Sequence, residues 1–323
     1  MRVIIHAANP PPLLSQIQQE HGDVEFAGCD SYADLPRLIT SFRPDAIYSI
    51  RFAGTPAFPH AAIKSAAADP DHPLRWLSVG GVGIDHLQGF DPRKLTVTNA
   101  AGVAADMMAD YVISGFLHFL LDVPGLQADQ ATRTWRARTV TPLTAKSLLI
   151  LGLGNTGQAI AKRAKAFAMP VMGVRANPKP TVNVDQVGGL DDLPDMWPKA
   201  DLIAVCLPLL PATRGLINHT AFSAMRPGVI IADVSRGGII DQAALLANLQ
   251  RGVVAGAAID VFEREPLPAD DPLWLAPNLL ISPHCSSVYS GWESRSLAMY
   301  SANLARFKDG EILQQQVDPS SGY

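Results

Sequence analysis

Two groups of residues in this chain are of types that could do chemistry. The first is the run Leu148-Leu149-Ile150-Leu151-Gly152-Leu153-Gly154-Asn155-Thr156-Gly157, an apolar stretch that breaks into a GxGxxG turn before a helical pattern from Gln158. Gly152 permits a tight turn, Gly154 lets the backbone approach a pyrophosphate, and Gly157 allows close helix–strand packing. Free N–H groups and a positive dipole end at the following helix favour an anion there. A plain glycine-rich turn is the alternative, but the strand–turn–helix context favours a dinucleotide site. The second group is Arg236, Glu265 and His284, singled out by the downstream segments described below, each after the end of an expected strand. An imidazole titrates near neutrality and can deliver or take up a proton. A guanidinium offers a planar fork suited to a carboxylate, and Glu265 could orient the ring and favour its protonated form. Taken singly, Arg236 could be a phosphate or surface salt-bridge arginine, Glu265 a loop carboxylate and His284 a packed strand cap. The histidines at 6, 21, 60, 72, 86, 118 and 219 lack the motif setting of His284 and read as structural or exposed.

The elements that must position these groups are legible as short apolar, β-branched runs alternating with helical stretches, the pattern of βαβ units and a parallel sheet. Strands are expected at 3–7, 24–29, 46–50, 76–79 and 97–99, then at 148–151, 171–174, 202–207, 229–234, 255–259 and 279–281. Helices are expected between most of them, including 158–168 and 242–250, with a long one at 290–308 and a surface-packed tail from 311. Near-continuous apolar strands imply sheets covered on both faces. The fold class is therefore α/β, with two separate parallel-sheet halves of Rossmann-like or flavodoxin-like type.

With 323 residues, 48% of them apolar and 17% charged, the chain has core material for two domains and is not disordered. A formal charge of −4 gives no electrostatic reason to expect nucleic acid or an anionic membrane as partner. Cys29, Cys206 and Cys285 are widely spaced and form no CxxC pair, which suggests reduced thiols and no metal site. The N-terminus runs straight into a strand pattern without signal-peptide character, and no apolar run approaches the roughly 20 residues that span a bilayer. The stretch 111–123 reads as a buried helix. The expected location is the cytoplasm.

The cofactor's 2′ position should be read after the strand 171–174. An NAD-specific site usually places Asp or Glu there to accept from the ribose hydroxyls. This chain has Arg175, which cannot accept but can pair with a 2′-phosphate. NADP is favoured over NAD on that ground, an exposed surface arginine being the alternative.

Downstream segments resemble the D-isomer-specific 2-hydroxyacid dehydrogenases. Ser235-Arg236-Gly237-Gly238-Ile239-Ile240-Asp241 is similar to their ARGxxVD signature, Asp260-Val261-Phe262-Glu263-Arg264-Glu265-Pro266-Leu267 to DVFxxEPL, and Ser282-Pro283-His284 to TPH. Cys206-Leu207-Pro208 and the segment 212–218 match the loop after a cofactor-domain strand, and with the glycine motif these fall in the family's order over about 75–310. The resemblance implies reduction of a small 2-oxo acid to the D-2-hydroxy acid with NAD(P)H, as in glyoxylate/hydroxypyruvate reductases. His284 would be the acid–base, Glu265 would orient it, and Arg236 would bind the substrate's carboxylate and carbonyl. Cofactor contacts would come from Gly152, Gly154, Asn155, Thr156, Gly157, Arg175, Leu207, Pro208, Thr213 and Asp260. Met108 would pack on the nicotinamide or simply fill core.

On the substrate side, Val79-Gly80-Gly81-Val82-Gly83-Ile84-Asp85-His86 resembles the family's GAGVDH loop, whose backbone N–H groups at Val82 and Gly83 would meet the carboxylate. Arg51 is a weaker carry-over to the same role. The implied layout is a discontinuous substrate-binding domain, 1–98 plus 286–323, around a dinucleotide-binding domain at 99–285, with a homodimer built through the latter. Departures are Ala101 for a usual Pro, Met108 for a common Thr, and Asp233 for a common Asn. Trp135, Tyr289 and Trp292 could shape the substrate pocket or a subunit contact. Alternatives are a phosphite- or formate-type dehydrogenase, the latter disfavoured because it carries Gln in place of Glu265, and a non-catalytic NAD(P)H-sensing protein of corepressor type.

Overall fold

The computed structural model describes residues 1–50, 59–84, 87 and 91–317. The chain divides into two compact units, Met1–Val103 with Ser290–Tyr323, and Ala104–Tyr289.

In the first unit, β1 (Arg2–His6), β2 (Glu25–Cys29), β3 (Ala46–Ser49), β4 (Trp76–Val79) and β5 (Thr96–Thr98) form a parallel sheet in the order β2-β1-β3-β4-β5. Helices α1 (Pro10–Glu20), α2 (Leu35–Phe42) and α3 (His60–Ala68) connect the strands. Alternate strand residues enter opposite layers, as the two-residue strand period requires. Ile4, Ile47 and Leu77 pack in one core. Val3, Ile5, Tyr48 and Trp76 pack in the other, with Leu297, Tyr300 and Leu304 of the unit's last helix. The segment after that helix is tied to β5, since Val317 N–H donates to the Val97 carbonyl and Asn99 N–H to that of Gln315.

The second unit begins with α4 (Ala105–Leu120) and α5 (Val123–Ala131). A seven-stranded parallel sheet follows: β6 (Leu148–Leu151), α6 (Asn155–Ala166), β7 (Val171–Val174), β8 (Gln186–Gly188), α7 (Leu193–Met196), β9 (Leu202–Val205), α8 (His219–Ala224), β10 (Val229–Asp233), α9 (Gln242–Gln250), β11 (Val254–Ile259) and β12 (Leu279–Ile281). The remaining helix, α10 (Trp292–Lys308), belongs to the first unit. The strand order is β12-β11-β10-β9-β6-β7-β8, so successive connections leave β6 in opposite directions. The glycine turn therefore sits at the switch point, where an open parallel sheet leaves a crevice. Leu149 and Leu151 pack with α7, α8 and α9 residues on one face, while Leu148 and Ile150 pack with α4 and α6 residues on the other.

Helix α6 starts at Asn155, within the glycine motif, three positions before the start expected from the periodicity. Strand β8 was not visible in the pattern, because Gln186-Val187-Gly188 is a three-residue edge with no apolar run. Among the described residues, no helix is long and apolar enough to cross a membrane and no cluster of His, Cys, Asp or Glu could hold a metal. All three cysteines are free thiols.

Candidate active site

The glycine turn has the shape a pyrophosphate needs. Gly152 lies at φ +101°, and a Cβ there would stand 2.7 Å from the Cys206 carbonyl oxygen. A Cβ on Gly157 would collide with the Gly152 carbonyl, so close packing of α6 on β6 admits only glycine. At Gly154 a Cβ would meet nothing within 4 Å. That position faces open space at the α6 N-terminus, and Gly154 as N-cap places no side chain over the first-turn N–H groups. These features fit the phosphates of a dinucleotide.

The sequence did not single out Cys206 by itself. Its Sγ–H points at the Gly152 carbonyl at 3.0 Å and at that of Leu151 at 3.3 Å, tying the end of β9 to the turn after β6. Burial pushes this thiol up to about 12, with Asp233 adding to the effect, so it stays protonated at neutral pH.

Arg175 follows β7, half-buried, with its N–H on the Gly188 carbonyl of β8 at 3.0 Å. Met108 on α4 reaches the glycine motif, its Sδ lying 3.7 Å from Thr156 Oγ1. Asn155 opens α6 beside it. Leu207 is buried and Pro208 half-buried in the loop after β9. Thr213 closes that loop internally, donating to the Pro208 carbonyl at 2.6 Å and accepting from Leu210 N–H at 2.8 Å.

Beyond the carboxyl ends of β10, β11 and β12 the structure brings the three candidate chemical groups into one region. His284 Nδ1 lies 2.7 Å from Glu265 Oε2, and Glu265 Oε1 accepts the Phe262 N–H at 2.9 Å. Each carboxylate oxygen is thus committed, and Nε2 is the ring nitrogen left for proton exchange. Burial pushes the Glu265 carboxyl up. The His284 bond, the Phe262 N–H and the charges of His284 and Arg236 outweigh burial and hold it below its usual range. The side chains of His284 and Glu265 remain 41% and 36% exposed, so the imidazole is reachable. Arg236, half-buried, donates from Nη1 to the Ser235 carbonyl at 2.7 Å. Gly237 is required next to it, since a Cβ there would run into the Phe262 carbonyl.

Two buried carboxyls stand behind these groups. Asp260, 1% exposed, accepts from Ser282 Oγ at 2.5 Å and from Cys285 and Ser286 N–H at 2.9 Å each. Asp233, 2% exposed, takes the Ser235 N–H at 2.8 Å and the Ser235 hydroxyl on the same oxygen. Burial pushes the Asp233 carboxyl up to about 7, the Asp260 charge adding to it, against the Ser235 bonds and the Arg236 cation. Sequence motifs place both residues but carry no signal for this environment.

In the first unit, Val82 and Gly83 sit in the loop after β4. Asn99 Nδ2 donates to the Val82 carbonyl at 2.8 Å, and Ser296 Oγ donates to the Gly80 carbonyl at 2.7 Å. Val82 is exposed and Gly83 half-buried. Arg51, Asp85 and His86 lie outside the described residues.

The chain is similar to known proteins over most of its length. The family model described as D-isomer specific 2-hydroxyacid dehydrogenase, NAD binding domain, matches residues 113–286. A D-isomer specific 2-hydroxyacid dehydrogenase family protein from Aeromonas salmonicida is similar over 98% of this chain and 99% of its own, at 30% identity and TM-score 0.87. A D-isomer specific 2-hydroxyacid dehydrogenase from Xanthobacter autotrophicus, solved with NADPH and MES, covers 100% of this chain and 99% of its own at 27% identity and TM-score 0.84. A glyoxylate reductase from Korarchaeum cryptofilum is 31% identical over 253 residues, 74% of each chain.

Proposed function

Since the chain belongs to the D-isomer specific 2-hydroxyacid dehydrogenase family, we propose that it reduces a small 2-oxo acid to the D-2-hydroxy acid with NADPH, glyoxylate and hydroxypyruvate being the first candidates. The observation that carries this reading is the 2.7 Å contact between Glu265 and His284 in the region of Arg236.

The reduced nicotinamide, when bound, is the source of the hydride for the substrate's carbonyl carbon. His284 delivers a proton from Nε2 to the carbonyl oxygen, and Glu265 holds the imidazolium through Nδ1. Arg236 pairs with the substrate carboxylate and polarises the carbonyl. The turn at 152–157 holds the pyrophosphate, with Asn155 and Thr156 donating to it, Leu207, Pro208, Thr213 and Met108 line the rest of the cofactor's path, and Asp260 would meet the nicotinamide carboxamide. Arg175 pairs with the 2′-phosphate, which is the reason for preferring NADPH.

In this reading residues 1–98 with 286–323 bind substrate through Val82, Gly83 and Arg51, and 99–285 bind dinucleotide. The protein works in the cytoplasm as a homodimer. Support for the dimer comes from the segment at 121–142, where α5 buries none of its side chains and Trp135 is fully exposed. Arg138 is paired with Asp122 and Asp129, which keeps that exposed arm in shape.

The test is oxidation of NADPH and NADH by purified protein across a panel of 2-oxo acids, with His284→Ala and Arg175→Asp alongside. Turnover should favour NADPH, collapse in His284→Ala with NADPH affinity retained, and shift toward NADH in Arg175→Asp. Absence of turnover with every 2-oxo acid, or a fully active His284→Ala, would overturn the proposal.

A further inference from the structure

Helix α4 reaches the turn bearing His284 through a run of side chains that the acid–base reading leaves unused. Tyr111 Oη lies 2.7 Å from Ser282 Oγ, which lies 2.5 Å from Asp260 Oδ1. The direction of these bonds follows from the donor inventory. A carboxylate only accepts, so the single Ser282 proton goes to Asp260, and Tyr111 must donate into the Ser282 lone pair. Burial pushes the Tyr111 phenol up to about 12, so that proton stays in place through neutral pH.

Asp260 collects the far end of the network. Besides Ser282 Oγ, its carboxylate takes the N–H groups of Cys285 and Ser286, the two residues after His284, at 2.9 Å each. The His284 N–H donates to the Asp260 main-chain carbonyl at 2.9 Å. His284 itself sits at φ +52°, a left-handed backbone disfavoured for a residue with a Cβ. The imidazole is 41% exposed, so packing alone does not hold it. Its orientation depends on the hydrogen bonds around the turn.

We propose that Tyr111 and Ser282 are positioning residues for His284: acting through the Asp260 carboxylate, they hold the 282–286 turn so that Nδ1 stays on Glu265. The inference rests on the reading of His284 as the acid–base of 2-oxo acid reduction. It assigns work to an α4 tyrosine 171 positions away from Ser282 in the chain.

The experiment compares Tyr111→Phe, Ser282→Ala and the conservative Ser282→Thr with the wild type and His284→Ala. Read together are kcat and KM, the NADPH dissociation constant by fluorescence, the melting temperature, and the low-field Nδ1–H proton resonance that His284→Ala removes. Tyr111→Phe, losing one hydrogen bond, should lower kcat roughly three- to tenfold, and Ser282→Ala further. The fall in kcat should exceed any loss of NADPH affinity, the resonance should move or broaden in both, and Ser282→Thr should restore both signals. Wild-type kcat with an unmoved resonance in Tyr111→Phe and Ser282→Ala overturns the proposal. So does a loss confined to NADPH affinity, or one that Ser282→Thr fails to restore. A fully active His284→Ala would instead overturn the acid–base reading beneath it, whatever the resonance does in the other variants.

Discussion

Replacing Asp233 by Asn should leave stability little changed near pH 4 and raise it progressively toward neutral pH. Asp233 ends β10, is 2% exposed, and its carboxyl is pushed by burial from the ordinary 3.8 to about 7. The folded protein therefore keeps this proton up to about pH 7, whereas the unfolded chain releases it near 3.8. Over that window the native state binds more protons than the unfolded state, so wild-type stability falls as pH rises. The slope is about 1.4 kcal/mol per pH unit and the total roughly 4 kcal/mol, levelling above pH 7. Asn keeps an acceptor oxygen for the Ser235 N–H and hydroxyl and never ionises. The assay is a pair of thermal melts at pH 5, 6, 7 and 8. For a unit of this size the gap should widen with pH to on the order of 10 °C at pH 8. Parallel melting curves across the series, or a wild type that is the more stable at pH 8, would refute the reasoning, because either would mean that the fold holds this carboxylate ionised at little cost.

Gly157→Ala should cost about 2 kcal/mol or more, because the added methyl meets the Gly152 carbonyl and both are backbone-fixed; melting temperature and NADPH affinity should fall together. Glu265→Gln removes the charge facing His284 Nδ1 but keeps the side chain's length, so kcat should drop at least about tenfold with NADPH affinity unchanged, read by steady-state kinetics beside fluorescence titration. Trp135→Glu should turn the proposed dimer into monomers, seen by sedimentation, and an unaltered dimer would remove the exposed arm from the interface.

Much of the architecture is written in local patterns. The runs at 148–151 and 171–174 coincide with β6 and β7, because a strand covered on both faces must be apolar throughout, and the run at 279–281 coincides with the half-buried edge strand β12. The glycine turn was legible for a similar reason: sterics at Gly152 and Gly157 exclude any Cβ, so residue type alone carries the constraint. The types able to exchange a proton or grip a carboxylate could also be named from their motifs. What local pattern could not supply is register. Glu265 and His284 meet because β11 and β12 pair in parallel, Ile259 opposite Ile281, which brings the segments after the two strands together. Cys206 locks the Gly152 turn because β9 lies beside β6, and Tyr111 reaches Ser282 because α4 packs against the sheet that carries β11. The raised Asp233 carboxyl likewise arises only when packing of the sheet takes it out of water, with Asp260 at the end of the neighbouring β11 adding to the effect. Such contacts join residues far apart along the chain, and the 3.6- and two-residue periods hold no information about which strand lies next to which.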